Sequence, residues 1–200
     1  MRNKNIVDFF RIFCLSFCFL FIGFFFVLLC SFFYEFLFHI FGVYYFEFSR
    51  EFILRAIDNL ILFFLHYSEL SLEFWNSKEI LHFVDVRNIF DFFILIFVCC
   101  VCFLIWFKFN LKILRKAVKW SFGIIFLPLF LFPIFSWFWV EVFHPLVFSN
   151  DLWMLFPEDL CYWIFPLEFF MGFYLIFILV EVLILFGVWF FSFKFKFSHK

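Results

Sequence analysis

Apolar residues fill long stretches of the chain, and charged residues interrupt them at only a few places. Four stretches, at residues 12–34, 89–107, 121–140 and 168–193, have few or no charges. A helix of about 20 apolar residues is long enough to cross a bilayer. The pattern predicts an all-α, polytopic integral membrane protein with about four transmembrane helices.

Residues 49–88 are the one segment of mixed polar and apolar character. Four apolar side chains recur there at helical spacing: Ile53, Ile57, Leu60 and Phe64. This stripe predicts an amphipathic helix over residues 50–66, lying at the membrane surface or against a partner. Since no linker or tandem repeat separates the stretches, we expect residues 1–200 to form a single membrane domain.

The composition supports a membrane protein and excludes several other classes. Hydrophobic residues make up 68% of the 200-residue chain, Phe alone accounts for 48 positions, and the mean hydropathy is +1.12. A globular domain contains about 45–50% apolar residues on a similar count. A water-soluble monomer and a disordered chain are therefore excluded. The net charge of −1 likewise excludes a nucleic-acid binder with a basic face.

Codon usage offers one explanation for the abundance of Phe. The chain contains no Thr or Gln, and Ala occurs only at Ala56 and Ala117. Thr, Ala and Gln codons all require C, whereas Phe can be written with T alone. A T-rich, C-poor genome would produce this bias, so we interpret the protein as encoded in a protist mitochondrion. An AT-rich endosymbiont is the alternative, although it should favour Lys, Asn and Ile over Phe.

The charges between the stretches predict an orientation in the membrane. Lys and Arg residues cluster at both termini and at residues 108–119, whereas the connection at residues 141–168 carries acidic residues and no Lys or Arg. The positive-inside rule then places both termini on the inner side, here the matrix side of the mitochondrial inner membrane.

Glu181 is the sharpest candidate for function, because twelve uncharged residues flank it on each side. A carboxyl group in the middle of a membrane helix must be protonated, paired or adjacent to water. Proton handling and a structural hydrogen bond to another subunit both remain open for it. Further candidates for contacts with partners or lipids are one acidic and four aromatic residues: Trp137, Trp139, Glu141, Trp153 and Trp163.

The Cys and His residues do not suggest a metal or haem site. Cys99 and Cys102 have C-x-x-C spacing, but they lie inside an apolar stretch, where Cys acts as a small hydrophobic residue. The five histidines lie at stretch ends, in connections or in the tail: His39, His66, His82, His144 and His199. No nucleotide-binding or nucleophile motif is present. We therefore expect no cofactor or metal on this chain and no autonomous active site, and whether it belongs to an enzyme stays open.

Three short motifs resemble a known family. Residues 177–182, followed by Gly187 and Trp189, resemble the third membrane helix of cytochrome c oxidase subunit III, which carries a buried Glu. Residues 137–142 resemble the end of that family's second helix, and residues 82–85 resemble the entry to its first. The similarity covers residues 81–193 only.

This resemblance implies a non-catalytic subunit of a mitochondrial respiratory-chain complex. Such a subunit would support the catalytic core, bind lipids and assist proton uptake, with Glu181 as the matching carboxyl group. Its partners would be other membrane subunits and phospholipids such as cardiolipin, with no nucleic acid, and haem and copper would belong to partner subunits. The alternatives are a small proton-pathway membrane subunit of complex I (NADH:ubiquinone oxidoreductase) and a lineage-specific structural accessory subunit.

Overall fold

The computed structural model describes residues 2–41 and 48–197, and every regular element in these ranges is helical. The first five helices are α1 (Arg2–Leu29), α2 (Ser31–Ile40), α3 (Arg50–Phe64), α4 (Ser77–Phe107) and α5 (Leu111–Phe126). The remaining helices are α6 (Phe135–Trp137), α7 (His144–Val147), α8 (Leu160–Ile164) and α9 (Leu167–Phe197). The all-α, polytopic membrane class predicted from the sequence is confirmed. His199 lies outside the described residues.

The number of membrane-crossing helices differs from the prediction. Three helices in the described part of the chain are long and apolar enough to cross a membrane: Lys4–Leu29, Ser77–Phe107 and Leu167–Phe193. The predicted third span does not form one long helix, because α5 passes into a 3₁₀ segment at Leu127–Ile134. Pro128 and Pro133 lie in that segment, and a proline removes a backbone donor and disrupts the α-helical hydrogen bonds.

The chain divides into two compact units, and the prediction of a single membrane domain stays untested. The first unit comprises Met1–Phe26, Phe92–Phe132 and Phe177–Lys200. Within it, the hydroxyl of Ser16 on α1 donates to the carbonyl oxygen of Ala117 on α5 over 3.1 Å. Ala117 has no exposed surface, so this small side chain lets the two helices approach closely.

The second unit comprises Val27–Asp91 and Pro133–Ile176, and α3 contributes much of its core. A helix at the predicted amphipathic stripe is confirmed as α3, which begins at Arg50 after the N-cap residue Ser49 and ends at Phe64. Its place at the membrane surface or against a partner stays a prediction. Its apolar stripe packs inside the chain's own core, where Ile53 and Ile57 have no exposed surface. The indole of the fully buried Trp75 joins the same core.

Candidate functional site

The amino-terminal end of α4 begins with a reciprocal cap. The side-chain oxygen of Asn76 accepts from the backbone N–H groups of Lys78 and Glu79, and the Glu79 carboxylate accepts from the N–H of Asn76 over 2.8 Å. This is a capping box, which satisfies donors at both ends of the first turn. Consequently α4 begins at Ser77, well before the apolar stretch that predicted it.

Glu79 also joins α4 to α8. Its second carboxylate oxygen accepts from the backbone N–H of Cys161 over 2.7 Å, and its side chain is 1% exposed. Burial and the neighbouring Glu79 carboxylate raise the pKa of the Cys161 thiol well above its usual value. A thiol of this kind stays protonated and is a poor nucleophile. Cys161 therefore acts through its backbone and not as a reactive group.

Asp159 fixes the adjoining loop against the same end of α4. Its carboxylate accepts from the Asn76 amide and from the Phe156 backbone N–H, each over 2.7 Å, and lies 3.4 Å from the Lys78 ammonium. Burial alone would raise the pKa of Asp159. The hydrogen bonds from Phe156 and Asn76 and the charge of Lys78 outweigh burial, so the pKa lies below its usual value. Asp159 is thus an ionised structural anchor.

His82 lies one turn further along α4, on the side that faces the loop at residues 148–159. Its ring contacts that of Phe148, with centroids 5.0 Å apart and the planes 62° apart. Its Nδ1 is buried and has no hydrogen-bond partner among the described residues. The imidazole is therefore held by ring packing, and a polar atom remains free for another group.

His144 begins α7, directly after a π-helical turn at Phe138–Phe143. The carbonyl oxygen of Trp139 accepts the backbone N–H of His144 and also lies 2.6 Å from His144 Nδ1. Because a carbonyl can only accept, Nδ1 carries the proton in this contact and Nε2 keeps its lone pair in the neutral ring. Single π turns inside helices often occur at functional sites.

Aromatic rings surround His144. It stacks on Trp153 at 4.7 Å and on Phe148 at 5.7 Å, and it meets Trp139 edge-on at 5.0 Å. Burial lowers the pKa of His144, and its hydrogen bond to Trp139 opposes that shift only in part. The imidazole is therefore neutral at neutral pH, which is the form that can accept a proton.

Phe148 contacts both imidazoles, so His82 and His144 share one neighbouring ring. Asp85, one turn after His82 on α4, accepts a 2.8 Å hydrogen bond from the side-chain amide of Asn150. Two imidazoles, one with a defined tautomer, together with a nearby carboxylate can transfer protons during acyl transfer or hydrolysis. Among the described residues, no group of three or more His, Cys, Asp or Glu side chains could hold a metal ion.

The structure separates the residues selected from the sequence. Trp139 and Trp153 contact His144. Trp137 and Glu141 are exposed, and the Trp163 indole donates to the carbonyl oxygen of Pro157. Their predicted roles in partner or lipid contacts stay predictions.

Glu181 belongs to the other unit, where its side chain is fully buried. Its role in proton handling likewise stays a prediction. The absence of a cofactor on this chain also stays an expectation.

Sequence reasoning missed His82, Asp85, His144 and Asn150 as a set. In the sequence the two histidines lie at a stretch end or in a connection, and His82 and Asp85 fall in the motif that resembles a helix entry. A signal was present, because positions 78, 79, 82 and 85 recur on one face of a helix and carry polar residues throughout. The partners on the loop could not be recognised from spacing, since they lie far away in the sequence.

Comparisons with known proteins identify relatives of a different kind from those expected. Residues 9–170 match the family model described as Lipoprotein intramolecular transacylase Lit. The solved structure of the membrane integral lipoprotein intramolecular transacylase Lit from Bacillus cereus matches with a TM-score of 0.76 and 21% identity, covering 98% of this chain and 99% of that chain. None of the curated protein sequences matches.

Two further structures of the Bacillus cereus protein carry a substitution of one histidine, to arginine in one and to alanine in the other. They match with TM-scores of 0.71 and 0.73, both at 22% identity. The matches cover 100% and 98% of this chain and 96% of each relative. At such identities the solved structures show that the fold is shared.

These findings overturn the respiratory interpretation. The resemblance of residues 81–193 to cytochrome c oxidase subunit III is wrong, because the matching family model is that of a transacylase. The two alternatives, a membrane subunit of complex I and a structural accessory subunit, are wrong for the same reason. Short motifs in Phe-rich helices align by composition, without shared structure.

The predicted location and partners are wrong for the same reason. The solved relatives are bacterial, which contradicts the mitochondrial inner membrane and a matrix side for the termini. The family does not indicate respiratory subunits, with their haem and copper, as partners. It likewise does not indicate the lipids of the mitochondrial inner membrane, such as cardiolipin. T-rich coding is not confined to organelles, so composition could not distinguish the two origins.

Proposed function

The chain belongs to the Lit family of lipoprotein intramolecular transacylases, and from this membership we propose that it transfers an acyl group between two positions of one lipoprotein molecule. The pair of imidazoles in contact with the one ring of Phe148 is the observation that carries the proposal. In this reaction His144 is the general base and His82 is a hydrogen-bond donor to the reacting carbonyl group.

The tautomer of His144 defines the proton transfer. Its Nδ1 is occupied by the Trp139 carbonyl, so Nε2 accepts the proton of the substrate's acceptor group as that group attacks the ester carbonyl carbon. The protonated imidazole then gives this proton to the leaving oxygen as the original ester bond breaks. One acyl bond forms, one breaks, and His144 returns to its neutral state.

His82 provides the complementary interaction. A neutral imidazole N–H can donate a hydrogen bond to the carbonyl oxygen as it acquires negative charge in the tetrahedral intermediate. The buried Nδ1 of His82 has no hydrogen-bond partner among the described residues, so no such partner fixes the tautomer and either ring nitrogen can carry the donated proton. Donors fixed in place before the reaction stabilise that charge more than mobile water does.

Exclusion of water is the requirement that separates transfer from hydrolysis. The rings of Trp139, Phe148 and Trp153 surround the His144 imidazole and limit the approach of water to it. Because the substrate carries both the donor ester and the acceptor, no acyl-enzyme is needed. This agrees with the buried, protonated thiol of Cys161, the cysteine that adjoins this region.

The test uses the purified protein in detergent and a synthetic lipopeptide with ester-linked acyl chains. Intramolecular transfer leaves the mass of the substrate unchanged, so tandem mass spectrometry must locate the acyl group before and after incubation. A mixture of two lipopeptides, one with isotopic labels in both its peptide and its acyl chains, reveals exchange between molecules. We expect relocated acyl chains without crossover, whereas free fatty acid or mixed labels would contradict the proposal.

Histidine variants connect the activity to the site. H144A and H82A should each lower the rate at least about a hundredfold, which is the contribution that a positioned proton-transferring group usually makes to catalysis. H66A is the matched control, because His66 is exposed and pairs with Asp91 outside the cluster. Equal rates in H144A and the wild-type protein would exclude His144 as the base.

A further inference from the structure

The loop at residues 148–153 holds both imidazoles in place. Phe148 at its beginning contacts both His82 and His144, and Trp153 at its end stacks on His144. The rings can fix the imidazoles only if the loop itself is fixed. The side chain that joins this loop to α4 is therefore as important as the rings.

Asn150 makes that connection and uses both ends of its amide. Its Nδ2 donates to Asp85 Oδ2 over 2.8 Å, and its Oδ1 accepts from the backbone N–H of Leu152 over 3.1 Å. One hydrogen bond joins the loop to α4 one turn after His82, and the other fixes the turn that leads to Trp153. Asn150 and Asp85 are both partly buried, which shields these contacts in part from water.

We propose that Asn150 is a positioning residue, which holds the loop at residues 148–153 against Asp85 and thereby sets the geometry of His82 and His144. The inference rests on the proposed transacylase function and extends it to a residue other than His82 and His144. It assigns Asp85 the role of hydrogen-bond acceptor for the loop. The negative charge of Asp85 is not required for this role.

Exchanging the two side chains tests this assignment directly. N150D places two carboxylates where one hydrogen bond had been, and their repulsion should release the loop. D85N in the same chain restores a donor and an acceptor, since Asn at position 85 can donate to Asp at position 150. D85N alone still offers an amide oxygen to Asn150. N150A removes the amide without adding charge, in case N150D does not fold.

Ser149 provides the matched control. It is exposed and adjoins Asn150, so S149D adds one negative charge to the same loop without contacting Asp85. A rate change caused only by the charge of the loop would appear equally in S149D and N150D. A change caused by loss of the hydrogen bond would appear in N150D and N150A and be absent from S149D.

The pH profile distinguishes positioning from a general loss of stability. The described titratable group that faces His144 from α4 is His82, and its other neighbours are the aromatic rings of Trp139, Phe143, Phe148 and Trp153. If the loop moves away, water reaches His144 and its pKa returns towards the ordinary value of about 6.5. The acid limb of the rate profile should then move to higher pH in N150D and N150A.

We expect N150D and N150A to lower kcat/KM by roughly tenfold to a hundredfold, as misplacement of reacting groups by about 1 Å does. D85N/N150D should recover to within about threefold of the wild-type rate, with its acid limb restored. Wild-type rates in N150D, or a folded double variant that remains as slow as N150D, would overturn the inference.

A readout independent of activity separates the two proposals. The thermal unfolding midpoint should fall in N150D and recover in D85N/N150D, whether or not the protein transfers acyl chains. If the midpoint recovers in D85N/N150D but the wild-type protein transfers no acyl chains, the proposed function is refuted and the connection between the loop and α4 is supported. Transfer by the wild-type protein with unchanged midpoints in every variant would refute the connection alone.

Discussion

Gly23 on α1 lies directly against the carboxyl group of Glu181 on α9. A Cβ atom at position 23 would overlap Glu181 Oε1 and lie 2.7 Å from the carboxyl carbon. Glu181 is fully buried, and neither of its oxygens has a hydrogen-bond partner of ordinary geometry among the described residues. The space beside Gly23 is therefore occupied by the Glu181 carboxyl group, which would have to move for any side chain at position 23.

Replacing Gly23 by alanine should destabilise the protein. The added methyl group forces the buried Glu181 side chain to move, and overpacking of this kind costs about 1–3 kcal/mol. Unfolding by heat or denaturant in detergent measures this cost. The double variant G23A/E181A should recover most of the loss, because truncation of Glu181 makes room for the methyl group.

Gly187 supplies the control for that experiment. A Cβ atom there would meet nothing within 4 Å, so G187A should be neutral or slightly stabilising. Equal effects of G23A and G187A would show that the Gly23–Glu181 contact does not limit the packing of the helices.

E79Q should weaken the beginning of α4 and its connection to α8. Both Glu79 oxygens accept backbone N–H groups, whereas Gln offers one acceptor and turns an amide donor towards the other N–H. A buried donor without a partner costs about 1–3 kcal/mol. E73Q is the control, because Glu73 is exposed and its ion pair with Arg55 should contribute less than about 1 kcal/mol. Unfolding curves that coincide for the two variants would contradict the capping role of Glu79.

The contribution of Asp159 should depend on pH in a defined direction. Its pKa is lowered in the folded protein, so its stabilisation is fully present above the unfolded value of 3.8 and is lost as pH falls through the folded value. D159N should therefore unfold more easily than the wild-type protein at pH 7, and the difference should shrink below pH 3.8. A difference that is constant with pH would show that the ionised form of Asp159 is not what stabilises the loop.

The acid limb of the pH–rate profile should lie at a lower pH than it would for a base with the pKa of an ordinary histidine. Burial lowers the pKa of His144, and in the proposed reaction the neutral imidazole is the base. The rate should therefore persist as pH falls through about 6.5 and decline only below it. The pH dependence of kcat/KM on the lipopeptide measures this limb, and a midpoint above 6.5 would mean that another group controls it.

Features that depend on neighbouring positions could be predicted from the sequence. The long apolar stretches predicted the membrane class, and the spacing of Ile53, Ile57, Leu60 and Phe64 predicted α3, because helical periodicity is local. The capping box of Asn76 and Glu79 is equally local and could have extended α4 to its observed beginning. The prediction of a third span was wrong, because prolines interrupt the α-helical hydrogen bonds after α5.

The composition carried information about coding and little about function. A Phe-rich helix fits many family motifs, so the buried Glu181 and the Trp residues near it suggested a respiratory subunit that the family match excludes. Motifs of this kind identify a protein only when the positions between the motif residues also allow few residue types. The apolar positions of a membrane helix allow many.

The sequence by itself determined that this protein is helical and lies in a membrane, because hydrophobic burial and helical spacing act between neighbours in the chain. Only the tertiary structure decided that His82 and His144 share one phenylalanine ring and that Asn150 reaches Asp85. Those contacts join residues far apart in sequence, and they depend on a π turn and a loop whose positions are set by the packing of the whole unit. The two imidazoles come together only once that packing has formed.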